Sequence, residues 1–332
     1  MFIIMNSSNL MFILINMMST LFMISTNCWI NCYISMEINL FFFIPMIFSS
    51  NIFNLEMIMK YFIIQVISSS IILICILSFK NFNLLNKIII ITMNLMFMIK
   101  LGSAPFHYWY IEISSIISWK MLFMLSTWQK IGPLMIMLYN INYLMMMISI
   151  ILNSMISFLG GMNQISMKKI IGFSSINHLG WMIACSSTSE FTLNLYIMIY
   201  MSLMLLILMS MNKMNIMNIF QIFSKKKKSI IPISLFMYFM SIGGMPPFMG
   251  FIPKWITINK LLESKLLMIS MILIISSIMN LYYYFKISYY FNINMNLKNN
   301  FPIKFISTHK FFMFLLLNMM NISFFSMFLF FY

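Results

Sequence analysis

The sequence contains no arginine and no aspartate: all 20 basic residues are Lys and all five acidic ones are Glu. Valine occurs once, at Val66, and alanine twice, at Ala104 and Ala184. Charged residues fill 8% of the 332 positions, against about 25% in a soluble domain, which excludes a solvated globular surface. No polar stretch is long enough for a separate soluble catalytic domain. The chain is also far too apolar for disorder. It lacks a Gly-x-Gly-x-x-Gly segment and a cysteine cluster, so no dinucleotide or iron–sulfur signature is present. Of the four cysteines, Cys28 and Cys32 have helical i,i+4 spacing but no partner His or Cys. We therefore expect no metal and no organic cofactor in this chain.

What is present is hydrocarbon: 62% of residues are hydrophobic, with 43 Met and 35 Phe. A bilayer accepts Ala and Val as readily as Ile, Met and Phe, so membrane physics does not explain the near-absence of Ala and Val. Codons rich in A and T do, with ATA read as Met, and this points to a mitochondrial genome. Residues that resist the bias are then informative. All nine Gly lie between 102 and 250, and three of them join three of the eight Pro within Gly243 to Pro253.

Spanning about 30 Å of hydrocarbon takes about 20 apolar residues. Apolar runs fall at about 2–24, 28–48, 58–79, 88–118, 121–139, 142–160, 169–187, 192–212, 230–262, 266–288 and 310–331. This predicts an all-α polytopic membrane protein of about eleven transmembrane helices in a single membrane domain, 1–332. No basic n-region or small-residue cleavage site precedes the first run, so it is expected to stay as structure.

Thirteen Lys fall in loops on the side of the N-terminus: Lys60, Lys120, Lys168, Lys169, Lys213, Lys225 to Lys228, Lys286, Lys298, Lys304 and Lys310. Four, Lys80, Lys87, Lys260 and Lys265, fall on the other side. The positive-inside rule places the N-terminus in the matrix. The net charge of +15 then reads as an orientation signal and an attraction to anionic lipids such as cardiolipin. Lys scattered over separate loops do not make a nucleic-acid patch.

Four charges sit inside apolar runs: Glu37, Lys100, Lys130 and Lys254. Each costs about 3 kcal/mol at depth on insertion scales and marks a functional site by default. The runs 88–118 and 230–262 are too long for one ordinary span, and each is broken beside its Lys, at Lys100-Leu-Gly-Ser-Ala-Pro105 and at Gly243 to Lys254. Paired broken helices in two halves of a chain point to a site built on inverted repeats. Spans one to five (1–140) and six to ten (141–290) are predicted as two such repeats, with 291–332 a loop and a peripheral C-terminal helix. In hydrocarbon an isolated ammonium or carboxylate is driven toward its neutral form, and a partner within about 6 Å restores both charges. Such groups suit proton relay, with His178 a plausible link between Lys130 and Lys254 or else an ordinary hydrogen-bonded core residue. Glu112 reads as a solvated helix end, and His107 as a partner for backbone freed at Pro105.

The segments Ser35 to Pro45, Lys100 to Trp109, Thr127 to Pro133, Gly160 to Lys169, Ser174 to Trp181 and Gly243 to Trp255 resemble the antiporter-like membrane subunits of mitochondrial respiratory complex I, the NADH:ubiquinone oxidoreductase, in a shortened, arthropod-like animal form. The resemblance covers about 35–260. It implies a place in the proton-pumping arm of the mitochondrial inner membrane beside other complex I membrane subunits, with redox chemistry done elsewhere. By family, Glu37 matches the acidic gate, Lys100 its partner on the first broken helix, Lys130 the central relay, and Lys254 the exchanging Lys of the second broken helix. Relatives usually have Pro where this chain has Ile111, which makes the role of Glu112 less secure. Two other readings stand beside proton translocation: a structural bridge with a degenerate path, and a free-standing sodium/proton antiporter.

Overall fold

Long runs of Ile, Leu, Met and Phe leave the backbone no solvent partner, and a helix satisfies each peptide group within its own segment. The computed structural model describes residues 7–48, 52–79, 86–221 and 230–296. Among them the secondary structure is helical, apart from turns and one isolated bridge between Ser166 and Asn218. The helices are α1 Ser7–Ser25, α2 Trp29–Ile47, α3 Ile52–Ser78, α4 Asn86–Leu101, α5 Tyr108–Ile116, α6 Trp119–Phe123, a π segment Met124–Trp128, α7 Gln129–Met137, α8 Tyr143–Met162, α9 Met167–Ser186, α10 Glu190–Met214, α11 Ile230–Gly243, α12 Phe251–Glu263 and α13 Leu267–Asn296. A helix or a broken helix pair therefore lies under each of the first ten apolar runs. The run 310–331, the Lys225 to Lys228 cluster and the region 297–332 lie outside the described residues.

Five of these helical stretches are long and apolar enough to cross a membrane: Trp29–Ile47, Leu55–Ser78, Tyr143–Met162, Glu190–Met214 and Leu267–Ile287. The others differ for identifiable reasons. Two runs are split by breaks, a third by the π segment, the apolar part of α1 is the shorter stretch Leu10–Ser25, and α9 carries Lys168, Lys169, Ser174, Ser175, Asn177 and His178.

That polar helix is nonetheless the most enclosed element. Every residue of α9 except Lys169 is buried, because α5, α7, α8, α10, α12 and α13 all pack against it. A helix buried on all sides is usually apolar all round; this one instead places its polar side chains against partners from its neighbours.

Lys168 departs from its expected place in a loop. It lies in the first turn of α9, 6% exposed, and its Nζ donates to the carbonyls of Ile117 at 2.6 Å and Ile116 at 3.3 Å. The ammonium thereby caps the C-terminal end of α5, where unpaired carbonyls favour a cation. Lys60, also expected in a loop, sits in α3 and pairs with Glu56 at 3.0 Å and Glu112 at 3.5 Å. Glu112 is accordingly a half-exposed surface group.

Candidate functional site

The two predicted breaks end in the same cap. At the first, Ser103 N donates to Met98 O at 3.0 Å and Gly102 N to Ile99 O at 3.1 Å. At the second, Met245 N donates to Met240 O at 3.3 Å and Gly244 N to Ser241 O at 3.0 Å. Both are Schellman motifs, which need a left-handed residue just past the helix. Gly102 and Gly244 supply it, at φ +65° and +83°.

The backbone groups freed at each break are satisfied differently. In the first, Ala104 N donates to Asn153 Oδ1 of α8 at 2.6 Å, Trp109 Nε1 to Ile99 O at 3.2 Å, and Gln65 Nε2 to Lys100 O at 3.3 Å. The His107 ring, expected to serve freed backbone, has Nδ1 3.1 Å from Pro105 O. All these partners are neutral, which leaves the Lys100 ammonium clear of the break. Its Nζ lies 3.6 Å from Met36 Sδ. In the second break the lysine itself does the work: Lys254 Nζ donates to Gly243 O at 2.7 Å and Ile242 O at 3.4 Å. Ile242 O occupies the cap position that Lys100 O holds in the first break, so Gln65 and Lys254 serve corresponding carbonyls.

Lys130 stands in α7, directly after the π segment. Its Nζ donates to Ser175 O of α9 at 3.2 Å and lies 4.7 Å over the Tyr110 ring. Tyr110 Oη is 2.7 Å from Ser175 Oγ. One turn along α9, His178 Nδ1 is 2.8 Å from Tyr196 Oη, while its Nε2 is buried with no partner. One turn further, the Lys254 ammonium lies 5.7 Å from the Trp181 ring. Ser175, His178 and Trp181 are spaced i, i+3, i+6, a single stripe along the helix.

Lys100 and Lys130 share a cavity of about 30 Å³ whose wall includes Asn39, Gln65, Tyr110 and Gln129. Such a volume admits water. Glu37 is half-buried on α2 with Oε1 enclosed and unpartnered. Lys100 and Tyr33 are its electrostatic neighbours, but Glu37 and Lys100 form no ion pair within 4 Å. The structure thus brings Lys100 to Lys130 through one cavity and Lys130, His178 and Lys254 to one face of α9, with Glu37 at the margin.

Sequence reasoning missed the neutral residues that organise this site. Asn153, Gln65 and the amide group of Asn16, Asn39 and Gln129 carry no charge to flag them. It also missed the π segment, where Thr127 Oγ1 donates to Phe123 O at 2.6 Å and Ser126 Oγ to the same carbonyl at 3.3 Å. Hydroxyls inserted in this way loosen the helical ladder, and Pro133 removes the amide that Gln129 O would accept from.

Residues 25–280 match the family described as NADH:quinone oxidoreductase/Mrp antiporter, TM. The chain is 37% identical over 271 residues to the NADH-ubiquinone oxidoreductase chain 2 of Anopheles gambiae, covering 78% of this chain and 79% of that one. The chain belongs to the NADH-ubiquinone oxidoreductase chain 2 family. The corresponding protein of Locusta migratoria is 36% identical over 276 residues, covering 79% of this chain and 78% of its own length. A chain of respiratory complex I from Thermus thermophilus shares the fold at a TM-score of 0.82 and 14% identity, over 96% of this chain and 78% of that one.

Proposed function

We propose that this chain is a core membrane-arm subunit of mitochondrial complex I that moves protons across the inner membrane through Glu37, Lys100, Lys130, His178 and Lys254. NADH oxidation and ubiquinone reduction take place in other subunits, which are its partners. The observation that carries the reading is the α9 stripe: Lys130 meets it at Ser175, His178 lies on it, and Lys254 approaches it at Trp181. Each of these groups can hold or release a proton, and low-polarity surroundings make their charge states sensitive to one another. The cavity shared by Lys100 and Lys130 extends the series toward Glu37.

The chain crosses the membrane eleven times, N-terminus in the matrix, as two inverted five-helix repeats and a peripheral C-terminal helix. The identical Schellman caps at the two breaks support this repeat relation, and the distribution of Lys between alternate loops supports the orientation and a matrix face attractive to anionic lipid. Replacing Lys130 with Met in an assembled complex tests the relay. The expected result is fewer protons moved per NADH oxidised; an unchanged ratio overturns it.

A further inference from the structure

The cavity between Lys100 and Lys130 has two neutral amides in its wall, Gln65 and Gln129, and their orientation follows from chemistry. A side-chain amide carries two N–H donors and one carbonyl acceptor, and which end is which must be settled by its partners. Gln65 faces the Lys100 carbonyl at 3.3 Å, and a carbonyl only accepts, so the Gln65 NH2 points there. Asn16 Nδ2 faces Asn39 O at 3.2 Å, which fixes Asn16 with Oδ1 as an acceptor. Gln129 lies 3.2 Å from Asn16 Oδ1 and 3.0 Å from Asn39 Oδ1, so its NH2 is committed to that pair. Both glutamines are pinned by their donors. Neither Oε1 takes a protein hydrogen bond among the described residues, and both side chains border the cavity.

We infer that Gln65 and Gln129 are positioning residues that orient a water between Lys100 and Lys130. The inference rests on the proposed relay. A water needs two to four polar partners to be held at such a site. Its oxygen accepts from the ammonium of one lysine, one hydrogen points to the neutral amine of the other, and the second hydrogen is held by a glutamine Oε1. A proton then passes from the ammonium to the water oxygen as the water gives its own proton to the amine. The water is regenerated and one charge has moved from one lysine to the other.

Two measurements on the intact complex test this. A high-resolution map is expected to show an ordered water within hydrogen-bond reach of Gln65 Oε1 or Gln129 Oε1 and of both Lys100 Nζ and Lys130 Nζ; its absence from that position overturns the inference. Gln129→Met and Gln65→Met are each expected to slow coupled turnover about five- to tenfold, the effect of losing one hydrogen bond at the reacting water. Unchanged turnover in both overturns it. If a variant does not assemble, the map decides. A Lys130→Met defect combined with normal Gln65→Met and Gln129→Met turnover rejects the positioning role alone, whereas an unaffected Lys130→Met rejects the relay itself.

Discussion

Asn153 of α8 holds the backbone amide of Ala104 at 2.6 Å, so a residue from one half of the chain supports the broken helix of the other. Both groups are fully buried. Asn153→Leu leaves the Ala104 N–H without a partner at an expected cost of about 1–3 kcal/mol. Thermal denaturation of the purified complex should show the loss as earlier release of this subunit.

Gly244 adopts φ +83°, and a Cβ there meets Lys254 Nζ at 2.8 Å. Gly244→Ala therefore strains the left-handed cap by about 1–2 kcal/mol and pushes the ammonium away from the Gly243 carbonyl. We expect reduced proton stoichiometry with an assembled complex, measured in proteoliposomes; a normal ratio would show that the position of Lys254 is not critical.

Lys168 is a capping cation outside the relay. Lys168→Met removes its bonds to Ile116 O and Ile117 O, worth about 1.5–3 kcal/mol for a charged donor. Subunit stability should fall, while protons per electron in the surviving complex stay constant. A changed ratio would bring Lys168 into the proton path.

Tyr196→Phe deletes the hydroxyl beside His178 Nδ1 and leaves the ring with neither nitrogen partnered. If His178 relays protons, coupled turnover drops with little change in assembly. Equal turnover in Tyr196→Phe and the parent complex would mark His178 as a packing residue.

Lys60, Glu56 and Glu112 are exposed enough for solvent and salt to screen them. Glu112→Gln should leave both stability and pumping unchanged across salt concentrations, a direct check on whether Glu112 belongs to the path.

The breaks beside Lys100 and Lys254 were legible because Gly and Pro stand out against an AT-biased alphabet. Glu37, Lys130 and Lys254 stood out as candidates for a related reason: a charge within an apolar run is costly at depth. Asn153 was not, since the same bias that makes Gly conspicuous scatters Asn along the chain. The burial of Lys168 was hidden by its neighbour Lys169, which makes the pair read as a solvated loop. The cap itself depends on α5 ending where α9 begins, a tertiary fact that no local pattern records. His178 was a candidate link between Lys130 and Lys254 from the sequence, but that the two lysines meet α9 at Ser175 and Trp181, on either side of it, emerged only when the helices were packed together.

The π segment at Met124–Trp128 is the one place in this helix where chain length is negotiable. An α-helix turns about 100° per residue, and a π turn accommodates one residue more than its neighbours. Losing one residue between 124 and 128 lets the segment close into regular α-helix with Gln129 and Lys130 still directed at the cavity and Ser175, whereas the same loss in the regular turns of α7 or α6 changes the bearing by about 100°. Descendants of this gene can therefore drop one residue within the π segment and keep Lys130 in place, while a residue dropped from the regular turns on either side turns it away.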